Sequence, residues 1–242
     1  MKTNFSPGRL FKEYCFSTSN QPLLLKSQLK GRKNIYPHLD VNGTFTYCGL
    51  SQIPSVSPYE GKMPTMLIPF NNMTSAPKHS CVHFFIDDYR FNSLYSNIDY
   101  YTKKLKRFDF VIAPDYSMYC DAPLIPNLSA VFKNRSVTCY WQEHGINVIP
   151  SFNGADAQSF DYCLTGLPKH SVLATGNVGV KHSKVTTKLW IELVEKAIKE
   201  LEPLALIIYG EKIIFPSINK IKVLWFDDFI HTRLKKHNTN NF

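Results

Sequence analysis

The sequence predicts an α/β protein, with about seven mostly parallel strands alternating with helices in an incomplete or irregular (β/α) barrel-like arrangement. The chain has 242 residues, a length that suits one domain with added segments. Short apolar runs recur roughly every 20 to 40 residues, and stretches of helical length separate them. These runs are continuous rather than alternating, as in strands covered on both faces. An open doubly wound sheet is the alternative, because it produces the same order of elements.

The predicted strands follow a loop-rich beginning. Residues 1–64 are rich in Ser, Pro, Asn and Gly without a sustained period, which predicts mostly loop and a short strand near 44–47. The seven predicted strands of the sheet are then 66–69, 82–86, 108–113, 146–150, 171–175, 204–209 and 222–226.

Helices are predicted between these strands. The stretches of suitable length are 92–106, 128–144, 156–164 and 183–201. The last has the clearest pattern, because its apolar residues recur at helical spacing and Pro203 follows it. The stripe consists of Val185, Leu189, Leu193, Ala197 and Leu201.

The net charge of +9 belongs to the two ends of the chain. Residues 1–33 hold seven Lys and Arg against one acidic residue, and residues 220–242 hold five against two. We therefore predict a basic N-terminal arm (1–33), one α/β domain (34–219) and a last strand with a basic C-terminal tail (220–242). Basic ends on a neutral body indicate a nucleic-acid partner, because each neutralised phosphate releases counterions. Solvated tails without a partner are the alternative.

The sequence shows neither a membrane span nor a secretory signal. No apolar run approaches the 18 residues that a span requires, and the apolar run near the N-terminus is too short for a signal peptide. The six cysteines contain no CxxC pair, which favours reduced thiols. These features predict a cytoplasmic protein that does not bind membranes.

Polar side chains follow the predicted strands at their carboxyl ends, which form the functional face of parallel α/β folds. If neighbouring strands follow the chain order, Asp87, Asp88 and Asp115 converge at this edge. Such carboxylates suit Mg²⁺ or Mn²⁺, which could activate water against a phosphoryl group. Capping of helices and turns by Asp is the alternative. The predicted substrate-binding residues are Asn71, Arg90, Ser117, Arg135, Asn153, Asn177 and Glu211.

Three weaker patterns also occur. His79, Cys81 and His83 share one face of a strand, so they could hold zinc with a fourth ligand. The basic segment 103–107 could contact phosphate, although a solvated helix end is the simpler interpretation. The segment 176–179 could bind an anion through backbone N–H groups, but it is neither a P-loop nor a dinucleotide fingerprint. No GxSxG, HExxH or kinase signature is present.

Three motifs follow one another in the domain: IPFN at 68–71, VHFFIDDYRF at 82–91 and PDYSMY at 114–119. In order and spacing they resemble a family of unknown function from phages, plasmids and their bacterial hosts. The likeness covers about residues 34–210, with further matches at 134–135, 140–142, 145–150, 160–166 and 209–210. This chain has Tyr116 where we would expect a Phe, which is a mild change. It also has Asn153 and Gly154 where the family tends to have Trp, and this second difference changes the expected pocket shape. The resemblance implies a mobile-element protein inside a bacterial cell and no established activity.

The main hypothesis is a phage or mobile-element protein that acts on nucleic acid or a nucleotide. Its most specific form is a metal-dependent phosphodiesterase, in which Asp87, Asp88 and Asp115 hold Mg²⁺ or Mn²⁺. Arg90 or Arg135 would then bind the phosphate. The rival hypothesis is a non-catalytic binding factor with a host or phage protein or nucleic acid as partner, such as a replication accessory factor or an inhibitor of host defence. A small-molecule enzyme on a barrel-like scaffold is the third.

Overall fold

Parallel strands dominate the computed structural model, which describes residues 15–16, 39–40 and 43–228. The predicted basic arm, apart from 15–16, and the tail after residue 228 lie outside these described residues. A small antiparallel sheet, β1-β2-β3, precedes the main sheets. Its strands are Cys15–Phe16, Tyr47–Cys48 and Ile53–Pro54.

Two parallel sheets form the body of the molecule. The first has the order β4-β5-β6-β7 and the second β8-β9-β10. Their strands are β4 Leu67–Pro69, β5 Cys81–His83, β6 Phe110–Ile112, β7 Val148–Ile149, β8 Val172–Gly176, β9 Ala205–Tyr209 and β10 Lys222–Phe226. All seven predicted strands are therefore present, several of them shorter than predicted.

A single parallel bridge joins the two sheets at Ser151 and Ala174. The Ala174 N–H donates to the Pro150 carbonyl at 2.9 Å, and the Phe152 N–H donates to the Ala174 carbonyl at 3.0 Å. The strands thus follow one another in chain order, without the reversal of direction that a doubly wound sheet requires. The open doubly wound alternative is therefore wrong, and the barrel-like prediction is confirmed.

One face of every strand from β5 to β10 contributes to a single apolar cluster, the interior cluster. The cluster includes Cys81, Phe85, Ile112, Ile149, Ala174, Ile207 and Tyr209. Phe85, just after β5, stacks on Tyr209 of β9 with ring centroids 5.6 Å apart. Because β5 and β9 are not neighbours in a sheet, this contact shows that the strands curve around a shared interior. β4 and β10 remain the edges of their sheets, so the described strands do not close into a barrel.

Three α-helices cover the outer faces of the sheets in the described part of the chain: α1 Ile98–Leu105, α2 Leu124–Glu143 and α3 Lys184–Leu201. Residues of α1 and α2 pack with the outer face of β5 to β7, and residues of α3 pack with that of β8 to β10. None of these helices is both long and apolar enough to cross a membrane.

The helix predicted at 156–164 is wrong, because only the short 3-10 turn Ser159–Asp161 forms there. The Ser159 hydroxyl donates to the Asp156 carbonyl at 2.6 Å and accepts the Ala155 N–H at 3.0 Å. These local bonds replace the helical hydrogen-bond pattern, as serine side chains commonly do. The other predicted helices differ from the structure only in their ends.

Candidate functional site at the carboxyl ends of the strands

A cavity of about 540 Å³ lies at the carboxyl ends of the strands, and we call it the mouth cavity. The cavity is lined by the segments that follow β4, β5, β8 and β10 and by the end of β9. Strands that are not neighbours in a sheet therefore contribute to the same cavity. Its lining residues are Pro69, Asn71, Asn72, Phe85, Ile86, Asp87, Arg90, Val178, Tyr209 and Asp228. The predicted functional edge of the sheet therefore carries a cavity.

Phe85 and Tyr209 form an aromatic wall of this cavity. Their ring planes differ by only 15°, and the buried ring of His83 lies 4.2 Å from that of Tyr209. Gly176, at the end of β8, makes this packing possible because a Cβ there would come within 2.8 Å of the Phe85 ring. Burial lowers the pKa of His83 to about 3, so its imidazole is neutral at physiological pH.

The rim of the cavity is polar and accessible. Arg90 Nε donates to Asp87 Oδ2 at 3.3 Å, and both side chains are substantially exposed. Asn71 is exposed in the 3-10 helix Phe70–Ser75 that follows β4. Amide, carboxylate and guanidinium groups therefore surround the aromatic wall, and they offer both hydrogen-bond donors and acceptors.

Asp88 and Ser117 tie the ends of β5 and β6 together. The Ser117 hydroxyl donates to Asp88 Oδ1 at 2.8 Å, and the Ser117 N–H reaches both carboxylate oxygens at 3.1 and 3.2 Å. Asp88, a predicted catalytic residue, is thus hydrogen-bonded to Ser117, a predicted substrate-binding residue. Asp88 is thereby held as a hydrogen-bond acceptor between the ends of β5 and β6.

Asp115 has a buried carboxyl group close to Asp88. The residue as a whole is half-buried, but its Oδ1 has no contact with solvent and no hydrogen-bond partner. Burial, and then the charge of Asp88, raise the pKa of Asp115 to about 8. The same two causes, with Tyr95, raise the pKa of the unpartnered Tyr116 hydroxyl. At neutral pH Asp115 is therefore protonated and can donate a proton.

The three predicted metal ligands do not come together as one group. Asp87 pairs with Arg90 on the rim, whereas Asp88 and Asp115 lie within electrostatic reach of each other. In the residues that the structure describes, no three His, Cys, Asp or Glu side chains are grouped to hold a metal ion. The predicted convergence of all three carboxylates is thus corrected to a pair, and metal binding by that pair stays a prediction.

Arg135 requires a second correction, because it is 2% exposed and bonded on all sides. It donates to the carbonyls of Ser151 at 3.0 Å, Thr165 at 3.0 Å and Cys163 at 2.6 Å, and to the side chain of Asn134. Burial lowers the pKa of its guanidinium to about 10, which still leaves it charged at neutral pH. These bonds enclose Arg135 in the scaffold, where its guanidinium is not accessible to a ligand.

Asn153, Asn177 and Glu211 connect the strand-end loops to one another. The Asn153 amide donates to the Tyr116 carbonyl at 2.8 Å, and the Asn177 amide donates to the Glu211 carbonyl at 2.7 Å. Glu211 also forms an ion pair with Lys181 at 2.9 Å. These three predicted substrate-binding residues lie at the expected edge, but their observed contacts are with protein groups.

The predicted zinc set is divided between two environments. His79 is exposed and bonds Asp109 at 2.9 Å, whereas Cys81 and His83 are fully buried. Burial also raises the pKa of the Cys81 thiol, which disfavours the thiolate that zinc requires. This arrangement does not form a zinc site.

Sequence reasoning did not identify Phe85 and Tyr209 as site residues. Both belong to apolar runs that predict buried strands, so nothing in the sequence distinguishes them from core residues. The period of two from Cys81 through His83 to Phe85 was the only hint that these side chains share an inward face. Only the curvature of the sheets brings Phe85 to Tyr209.

The fold and the cavity define a class of protein: a parallel α/β protein with an open, barrel-like sheet and a cavity at its carboxyl edge. The chain belongs to the family described as Domain of unknown function (DUF4417), whose model matches residues 45–227. The predicted resemblance to a family of unknown function is thereby confirmed.

Two phage proteins are similar to the chain. The Gene 1 protein of Mycobacterium phage L5 is 30% identical over 177 residues, or 72% of this chain and 77% of that protein. The Gene 1 protein of Mycobacterium phage D29 is 28% identical over 188 residues, or 71% of this chain and 70% of that protein. No solved structure matches the chain.

Proposed function

We propose that the chain binds a nucleotide, free or within a nucleic acid, in the mouth cavity. The observation that carries this proposal is the aromatic wall of Phe85 and Tyr209 beneath a polar rim. A nucleobase is a flat aromatic group, and it can pack against the part of these two rings that lines the cavity. The cavity volume of about 540 Å³ lies within the range typical of small-molecule sites.

The rim supports the same ligand. Asn71 and Asp87 together supply donors and acceptors for the edge of a base. Arg90 supplies a guanidinium for a phosphate, which it binds more strongly than a neutral donor would. Its ion pair with Asp87 is exposed and therefore worth little, so a phosphate can compete for it at small cost.

Equilibrium binding tests this proposal. Isothermal titration calorimetry with the full chain would measure the Kd of nucleoside monophosphates and of short oligonucleotides. We expect Arg90→Gln and Asn71→Ala each to weaken binding about tenfold or more, because each removes a polar contact to the ligand. Lys199→Gln, at the exposed far end of α3, is the control and should leave the Kd unchanged. Absence of binding, or binding that neither rim variant affects, would refute the proposal.

Cleavage of a phosphodiester bond is a second candidate function, favoured by the Asp88–Asp115 pair after the carboxyl ends of β5 and β6. A protonated Asp115 can supply a proton to a leaving oxygen. Mg²⁺ is commonly bound through one or two carboxylates together with substrate phosphates, so the Asp88 carboxylate could hold it while Asp115 keeps its proton. Incubation of labelled oligonucleotides with Mg²⁺ or Mn²⁺, resolved on a denaturing gel, tests this function. Activity that Asp115→Asn leaves unchanged would exclude this role.

Binding without cleavage would instead favour the non-catalytic factor, acting in a bacterial host through nucleic acid or a protein partner. Similarity to phage proteins supports a role in a phage or mobile element. Affinity capture from phage-infected cells, using the wild-type chain and Arg90→Gln in parallel, would identify a protein partner that depends on the mouth cavity.

A further inference from the structure

A second cavity, of about 520 Å³, lies at the start of α3, and we call it the lysine groove. Its lining residues are Lys181, Lys184, Thr187, Lys188, Ile191 and Glu192. The lining of the groove therefore contains three lysine side chains and one carboxylate. Such a concentration of positive charge on a neutral body is suited to phosphate groups.

The lysines are accessible to an anionic ligand. Lys181 pairs with Glu211 at 2.9 Å and Lys188 with Glu192 at 3.8 Å, and all four side chains are exposed by more than a third. Lys184 has no ion-pair partner among the described residues. Exposed pairs of this kind are weak, so phosphates can displace them. The positive end of the α3 dipole lies in the same place and adds to the attraction.

One loop connects the lysine groove to the mouth cavity. Val178 lines the mouth cavity and Lys181 lines the groove, so their Cα atoms are at most roughly 11 Å apart. The loop is also anchored, because the Val180 carbonyl accepts hydrogen bonds from Thr186 at 2.6 Å and Thr187 at 3.1 Å. These hydrogen bonds therefore fix the position of the lysine groove relative to the mouth cavity.

We infer that the ligand of the mouth cavity is single-stranded nucleic acid several nucleotides long. This inference rests on the proposed function, and it names the substrate class. One base packs against the part of the Phe85 and Tyr209 wall that lines the mouth cavity, and phosphates of neighbouring nucleotides lie in the lysine groove. A mononucleotide would leave the groove unused. A base within a duplex is already stacked and paired, so it cannot lie on the aromatic wall without leaving the helix.

The test compares ligand length and salt dependence. Fluorescence anisotropy with labelled oligothymidylates of two to eight nucleotides, and competition by the mononucleotide, would be measured with the full chain at several salt concentrations. We expect the affinity to rise at least tenfold from one nucleotide to about six, as phosphates enter the groove. For a single strand the slope of log K against log salt is about −0.7 per neutralised phosphate. The Lys184→Gln/Lys188→Gln variant should therefore have a slope shallower by about 1.4.

A matched double variant serves as the control. Lys199→Gln/Lys220→Gln removes the same charge from exposed positions outside the groove, and Lys199 lies roughly 22 Å along α3 from Lys184. Its slope should equal that of the wild-type chain. Basic residues outside the described ranges contribute equally to both variants, so the comparison isolates the groove.

The outcomes separate this inference from the proposed function. The inference is wrong if mononucleotides bind in an Arg90-dependent manner while longer oligonucleotides bind no better, or while the groove variant keeps the wild-type slope. Equal competition by duplex DNA would also overturn it. If no mononucleotide or oligonucleotide binds at low salt, the proposed function itself is wrong.

Discussion

Two arginines of this chain show how burial decides the role of a side chain. Arg135 is enclosed and donates to three carbonyls and one amide oxygen, so it stabilises the loops after the strands. Arg90 is exposed on the mouth cavity and forms a weak ion pair with Asp87, so its guanidinium is accessible to a ligand. Both were predicted to contact phosphate, and only Arg90 has the placement that such a contact needs.

Gly210 is a residue whose replacement we expect to be costly. Its φ of +126° is unfavourable for other residues, and a Cβ would collide with the buried Oδ1 of Asn177. Gly210→Ala should therefore reduce the free energy of unfolding by about 3 kcal/mol, measured by urea denaturation. Gly145→Ala is the matched control, because Gly145 also has a positive φ but has open space around it. It should cost only about 1 kcal/mol, and equal costs would contradict the collision.

Asp115 should make stability depend on pH. Its pKa is about 8 in the folded chain and near 3.8 when unfolded, so between these values the folded state holds a proton that the unfolded state has lost. The free energy of unfolding therefore falls as the pH rises from about 4 to about 8, by up to ~1.4 kcal/mol per pH unit. Asp115→Asn removes this contribution, and its stability relative to wild type should rise over that range. Urea denaturation at pH 5 and pH 8 measures the difference, and parallel pH profiles would contradict it.

At the scale of elements, α3 connects the core to both cavities. Its buried residues Leu193, Val194 and Ala197 pack in the apolar cluster outside β8 to β10. Near its start, the Trp190 indole donates to the carbonyl of Gly176, the residue that gives Phe85 its space. The start of this helix therefore positions the end of β8.

The α3 N-cap provides the prediction at this scale. Ser183 Oγ accepts the Val185 N–H at 3.1 Å, which satisfies a backbone donor that lacks a helical partner. Ser183→Ala should lower the free energy of unfolding by about 1 kcal/mol in urea denaturation. Ser183→Asp, which keeps an acceptor and places a negative charge at the positive helix end, should retain wild-type stability. An equal loss in both variants would show that the cap does not stabilise α3.

At the scale of the whole molecule, the curvature of the sheets creates the site. The two parallel sheets are joined by one bridge, yet β5 and β9 meet across the interior through Phe85 and Tyr209. A flat sheet with the same strand order would keep these strands apart. The mouth cavity is therefore a property of the assembled strands and not of any one segment.

Hydrogen exchange should reveal this assembly. β9 pairs with neighbours on both sides and all its residues are buried, whereas β10 is an edge strand with no fully buried residue. Amides of Ala205–Tyr209 should therefore exchange at least about tenfold more slowly than those of Lys222–Phe226, measured by mass spectrometry. Equal protection of the two strands would indicate that β10 is covered by a further element.

The sequence by itself determined the alternation of strands and helices, the strand order along the chain and the polar character of the strand ends. Apolar runs, helical periods and polar termini are local patterns, so they can be read from Leu67 to Phe226 without a structure. The tertiary structure alone decided which polar residues face the cavity. Asp87 and Asp88 are adjacent in sequence, yet one faces Arg90 at the mouth and the other binds Ser117. Burial and contacts across the sheets separate such neighbours, because they depend on how distant segments meet in space.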